Sequence, residues 1–156
     1  MSKTNLTENF WQAFCAKNPD ADADEPYQVW YFGNTSEMAK ELVALVLQGK
    51  KTATASLFWE YENKREDEPI VDGYSVVTDF EGTPVCILRT TELRVLPFNE
   101  VDEQFAFDEG EGDRTLEYWR RVHRKFFSEY CRESGVEFEE SMLVSCKRFN
   151  KLFPEL

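Results

Sequence analysis

Apolar residues recur along this chain with two different periods, and the periods succeed each other irregularly. Spacings of three and four predict helices over residues 6–17, 37–48 and 114–131. The first carries Phe10, Trp11, Phe14 and Cys15 on one side. The second carries Met38, Leu42, Leu45 and Val46, with Thr35 or Ser36 to cap it and Gly49 to stop it. The third carries Leu116, Trp119, His123, Phe126, Phe127 and Tyr130, with Asp113 as its cap. Strand character marks residues 27–32, 52–57, 75–80, 84–94 and 142–149, with a turn at Glu81-Gly82. Residues 18–26 and 61–69 read as charged loops, and residues 99–107 as a short helix or turn. Strands outnumber helices in this reading. An α+β fold with a curved or closed, antiparallel-rich sheet follows, rather than a doubly wound parallel one.

At 156 residues, 42% hydrophobic and 15% aromatic, the chain can build one domain around a substantial core. Its formal net charge of −12 repels polyanions and membrane surfaces, which argues against general duplex DNA binding and membrane association. Cys15, Cys86, Cys131 and Cys146 show no CxxC spacing and there is a single histidine, so neither a disulfide framework nor a zinc site is expected. Reduced thiols, no signal-like leader and no apolar run of membrane length together suggest a cytoplasmic protein.

Two polar segments are the candidates for chemistry. In Gly49-Lys50-Lys51-Thr52-Ala53-Thr54 a helix ends and a strand begins whose Thr52, Thr54 and Ser56 share a face. A desolvated Lys51 beside the Thr54 hydroxyl can serve as base for a nucleophile. The alternative is a solvated lysine after a helix stop, the ordinary state of that residue. The GxxxxGK[ST] spacing of a phosphate-binding loop is absent. The second segment is Glu109-Gly110-Glu111-Gly112-Asp113-Arg114-Thr115. Residues 99–113 hold seven acidic residues and no basic one. Crowded carboxylates raise one another's pKa, which suits Glu109 or Glu111 to acid/base work. The alternative is a solvated loop, and the glycine positions exclude an EF-hand. His123, on an otherwise apolar face, reads as a packed, hydrogen-bonded histidine. The stripe Arg120, Arg121, Arg124 and Lys125 reads as a solvated helix face, or as a phosphate-binding patch.

Several of these pieces together resemble the ASCH family, which is similar to the PUA domains of RNA-modifying proteins. The resemblance runs through Trp30-Tyr31-Phe32-Gly33, Ala39, Glu41-Leu42 and the stretch from Leu45 to Ser56, with Trp59. It continues in Pro84-Val85-Cys86, Val95-Leu96-Pro97-Phe98, Phe105-Ala106, the glycine-carboxylate loop with Leu116, then Trp119-Arg120 and His123. Gly49, Lys51 and Thr54 match the family's GxKxxT element. The resemblance implies a small PUA-like β-barrel with flanking helices over residues 27–156, with the helix and acidic loop of residues 1–26 packed on it.

It also implies a cleft beside GxKxxT that takes RNA or a nucleoside- or nucleotide-like molecule. Some members of the family look like hydrolases of acylated nucleosides that use a Lys, a Thr and a Glu, which maps onto Lys51, Thr54 and Glu111 or Glu109. Another cleaves RNA with a divalent metal. A third class recognises RNA or a modified nucleotide without chemistry. Lys50, Ser56, Trp59, Asp113, Arg114, Arg120 and Arg124 are the accompanying candidates for ligand contact. Apart from a divalent ion under the ribonuclease reading, no cofactor is expected.

Overall fold

The computed structural model describes residues 3–63 and 67–155. Helix α1 (Asn5–Lys17) begins at Thr4, whose hydroxyl accepts from the Thr7 N–H while Thr7 returns the bond, satisfying two otherwise orphaned donors. After the acidic loop come strand β1 (Tyr27–Trp30), helix α2 (Ser36–Leu47), strand β2 (Ala53–Leu57) and a single turn of helix, α3 (Trp59–Glu62). Strands β3 (Tyr74–Thr78) and β4 (Pro84–Pro97) precede a 3-10 turn (Phe98–Glu100) and helix α4 (Glu103–Glu109). Helix α5 (Leu116–Glu133) and strand β5 (Leu143–Phe153) complete the fold.

The strands form one five-stranded sheet in the order β1-β3-β4-β5-β2. β1 pairs parallel with β3, and the remaining three pairings are antiparallel. No pairing joins β1 to β2 among the described residues, so backbone hydrogen bonds do not close the expected barrel. Register shifts between Ile87 and Leu88 and between Thr90 and Glu92 interrupt the long β4–β5 ladder. Such irregularities bend and twist a strand.

Three buried clusters flank this sheet. α1 brings Trp11 and Phe14 onto Tyr27, Tyr74, Val76 and Ile87. α2 lays Val43 and Val46 against Phe32, Val77, Cys86 and Phe149. α4 and α5 seat Phe105, Trp119 and Phe127 on Ala53, Leu57, Phe98 and Val144.

Several expectations need correction. Helix α3 is additional and the segment read as a short helix or turn at 99–107 supplies a 3-10 turn and helix α4, so strands do not outnumber helices among the described residues: there are five of each. Asp113 does not cap α5. Thr115 does, accepting from the Tyr118 N–H, while Asp113 Oδ1 accepts from the Thr115 N–H and hydroxyl in the preceding turn. Arg114 lies at φ +65°, outside helical geometry, so the helix starts at Leu116, later than a cap at Asp113 would place it. The charged stretch 61–69 lies partly outside the described residues, and its first two residues belong to α3. β4 and β5 both run past their expected ends because each pairs with the other there.

Candidate functional site

The site begins where α2 stops. Gly49 adopts φ +77°, a region that favours glycine. The chain reverses there, and the N–H groups of Lys50 and Lys51 both donate to Leu45 O. The reversal carries the Lys51 side chain inward, and the residue is 2% exposed. The next residue is pinned to α4, with Thr52 N–H donating to Asp108 O at 2.8 Å.

The glycine-carboxylate loop is stapled to this same turn. Gly110 sits at φ +72°, and a Cβ there would lie 2.4 Å from Lys50 O, so only glycine permits the approach. Arg114 lies over the Phe107 ring at 3.6 Å from its centroid and donates to Phe107 O and Lys50 O. A Cβ on Gly112 would meet the Tyr118 ring at 2.3 Å, so α5 presses the loop from its other side. Two segments sixty residues apart thereby become one wall.

That wall encloses four ionisable groups. Lys51 Nζ lies 2.8 Å from Glu111 Oε2 and 4.0 Å from Glu109 Oε2, and it donates to the Glu109 carbonyl at 3.4 Å. Glu109 Oε2 accepts from Trp119 Nε1 and from His123 Nε2, each at 3.0 Å. The other oxygen, Oε1, is buried with no partner among the described residues. His123 Nδ1 lies 2.9 Å from Trp119 O, so both ring nitrogens face acceptors. An imidazole can donate from both only as the cation. The ring also stacks on Trp119, with centroids 4.2 Å apart.

Burial and charge pull these groups apart. Burial alone would raise the Glu109 pKa, but Lys51 and His123 outweigh it and hold this carboxyl low. Burial raises the Glu111 pKa to about 7, Glu109 adds to the rise, and Lys51 opposes it. Burial would lower the His123 pKa, but the charge and hydrogen bond of Glu109 prevail and raise it. Glu109 is thus the fixed anion of the cluster, and Glu111 is the group able to exchange a proton near neutrality.

Lys51, Glu109, Glu111 and His123 open onto a cavity of about 660 Å³, and Thr54 and Ser56 line it too. Its walls include Trp30, Tyr31, Phe32, Tyr61, Phe80 and Tyr118. Volume and lining suit a small planar molecule held by a few polar groups.

The other candidates lie elsewhere. The Lys50 residue is exposed, and only its backbone takes part, the N–H donating to Leu45 O and the carbonyl accepting from Arg114. Arg114 staples the loop, and Asp113 forms the turn before α5. Trp59 packs on Tyr130 in the α5 cluster. Arg120 donates to Asn99 O, and Arg124 pairs with Glu140. None of these six side chains lines the cavity. Conversely, Lys147, Glu60 and Trp30 line it, although they stand outside the candidate set read from the sequence. Ser145 and Lys147 alternate with Val144 and Cys146 in β5, so the two polar residues share one face there. That alternation is the signal the sequence offered.

An ASCH domain model matches residues 28–152. The ASCH domain crystal structure from Lactobacillus crispatus is similar over 97% of each chain, with 32% identity and a TM-score of 0.88. A protein from Enterococcus faecalis is similar over 94% of this chain and 87% of its own, with 37% identity and a TM-score of 0.83. A third structure, a hypothetical protein, shares the fold at 18% identity, with a TM-score of 0.52 over 80% of this chain and 97% of its own. No curated protein matches.

Proposed function

This chain belongs to the ASCH domain family, and from that premise we propose that it binds a nucleoside-sized molecule in the cavity and hydrolyses an acyl group from it. The family's PUA-like fold is associated with RNA binding in general. Here the net charge of −12 and a cavity with aromatic walls favour a neutral nucleoside over a long polyanion. Among the described residues, no helix is long and apolar enough to cross a membrane.

The observation that carries the reading is the buried Lys51 ammonium, 2.8 Å from the proton-exchanging Glu111, on a cavity wall that also presents Thr54. Proton transfer from Lys51 to Glu111 yields a neutral amine and a neutral acid. The amine takes the Thr54 hydroxyl proton as Oγ bonds to the acyl carbon, and the carbonyl electron pair moves onto oxygen. Collapse restores the carbonyl and expels the nucleoside amine, which takes the proton from Glu111. Lys51 passes its proton to Glu111 a second time, and water then cleaves the ester on Thr54: the Lys51 amine accepts the water's proton and Glu111 returns one to the threonine oxygen. Glu109, fixed by Trp119 and His123, anchors the wall throughout.

A metal-assisted ribonuclease is the second reading. The ligand atoms of Glu109, Glu111 and His123 lie within 4.8 Å of one another, a spacing a divalent ion could use. Against it, Lys51 and His123 already supply the positive charge that both carboxylates face.

Turnover of N-acylated nucleosides, with and without chelator, tests the proposal. Thr54→Ala and Lys51→Ala should each cut kcat by roughly a thousandfold or more, and the double variant should be little worse, because residues that act as one unit are non-additive. Lys51→Arg should fail as well, since a guanidinium does not give up its proton. Full activity in Lys51→Ala would sink the mechanism. Activity abolished by chelator would favour the metal-assisted reading.

A further inference from the structure

The β2–β5 ladder fixes the direction of the peptide that follows Thr54. At the two ends of β2, Phe149 N–H donates to Thr52 O at 3.1 Å and Phe58 N–H donates to Leu143 O at 3.0 Å. Hydrogen bonding alternates along an antiparallel pair. With Thr54 opposite Lys147 and Ser56 opposite Ser145, residues 52, 54, 56 and 58 turn their main-chain groups to β5. Ala55 turns its own the other way. β2 is an edge strand, so no strand receives them. Among the described residues, neither the N–H nor the C=O of Ala55 has a hydrogen-bond partner. The cavity lies along this free edge. Thr54 and Ser56 line it from one face of β2. Phe126, Phe127 and Tyr130 line it from the other, in the cluster on which the Ala55 methyl packs. Ala55 is half-buried and lines the cavity itself. Its methyl is turned to the cluster, so its main chain is what meets the cavity.

We propose that the Ala55 main-chain N–H is the oxyanion donor of this cavity, facing the carbonyl oxygen of the acyl group as the Thr54 Oγ attacks. The proposal rests on the hydrolase reading. Acyl transfer places negative charge on that oxygen in the transition state, and a preorganised donor aimed there is a large source of rate. Lys51 and Glu111 handle protons in the mechanism above, and neither is assigned to that oxygen. One planar peptide joins the nucleophile to the donor. Its trans geometry sets the Ala55 N–H opposite the Thr54 C=O, which the ladder holds toward β5. An acyl carbon that meets Oγ at this edge therefore carries its oxygen beside the N–H. A main-chain donor is neutral and keeps its proton, so it leaves the exchange between Lys51 and Glu111 undisturbed. The step needs no outside reagent, because the π electron pair moves onto oxygen when the Oγ–C bond forms and returns when the amine leaves.

The test exchanges single peptide bonds for esters by nonsense suppression. Ala55→lactic acid keeps the side chain and replaces the N–H with oxygen. Leu57→leucic acid is the control. Leu57 also turns its main chain to the free edge, does not line the cavity, and its ester weakens a ladder carbonyl in the same way. On N-acylated nucleosides, Ala55→lactic acid should lower kcat about a hundredfold with KM within about threefold, as expected of a donor used only in the transition state, while Leu57→leucic acid keeps kcat within about twofold. Wild-type kcat in Ala55→lactic acid, or an equal loss in Leu57→leucic acid, overturns the assignment. If the wild type hydrolyses no acylated nucleoside, the hydrolase reading fails. In that case, or should Ala55→lactic acid not fold, phenylboronic acid is titrated into the wild type. A threonine hydroxyl adds to its boron to give a tetrahedral anion that presents oxygen to the donor. A downfield shift of the Ala55 amide proton by ¹⁵N–¹H NMR, larger than that of Leu57, upholds the donor. An Ala55 amide that stays in place, or moves no more than that of Leu57, overturns it.

Discussion

Two groups of charges on this molecule both set a basic side chain against glutamate and behave differently. Around Lys51, a lysine, two glutamates and a histidine are packed at side-chain exposures of 1% for Lys51 and Glu109, 17% for Glu111 and 11% for His123. On the outer side of α5, Arg124 pairs with Glu140 at 2.5 Å with 47% and 52% of the side chains exposed. Both are ion pairs at hydrogen-bonding distance. Water screens the second, so it contributes little. The first is desolvated, so each member's state depends on the others, and two adjacent glutamates are driven in opposite directions.

The largest expected effect tests that interdependence. Glu109→Gln removes the fixed anion from between Lys51 and His123 and should destabilise the fold by about 3 kcal/mol, as removing one partner of a buried ion cluster does. Urea denaturation measures it. A loss no greater than that of a surface pair would show that the two groups do not differ in kind.

The next effect is pH dependence. Burial, with help from Glu109, raises the folded-state pKa of Glu111 to about 7 from an ordinary 4.5. Between those values the folded state binds the proton more tightly than the unfolded state does. The stability this proton contributes is therefore fully present below pH 4.5 and is lost as pH rises through 7. His123, also raised, acts in the same direction. Glu109, held low, gives the opposite trend only in more acid solution. Glu111→Gln removes one contribution alone, so the wild type should lose stability relative to Glu111→Gln between about pH 4.5 and 7. Parallel profiles for the two proteins would mean that Glu111 titrates as an exposed carboxylate does. The smallest effect belongs to the outer pair: Arg124→Ala should change stability by less than about 1 kcal/mol and leave turnover within twofold. A larger loss of turnover would return the α5 stripe to the site.

How much of this was legible depends on the range of the interaction involved. The helical and strand periods of α1, α2, β2 and α5 are local, and the sequence displays them. The end of α2 at Gly49 is equally local, because a positive φ needs glycine. The start of α5 is ambiguous in the sequence because Asp113 and Thr115 are both good caps, and only the left-handed Arg114 between them decides. Lys50 and Lys51 are neighbours of one type, and nothing in their order tells which one turns inward.

The sequence by itself determined the element types, the compatibility of Gly110 and Gly112 with a tight loop, and the excess of negative charge. These follow from backbone sterics and composition. Tertiary structure alone decided that Lys51 is buried, that Glu109 and not Glu111 faces His123, and that Lys147 stands opposite Thr54. Each of those depends on contacts between segments far apart in the chain and on the removal of water around them. Desolvation belongs to the packed whole, and no residue carries it in its own side chain.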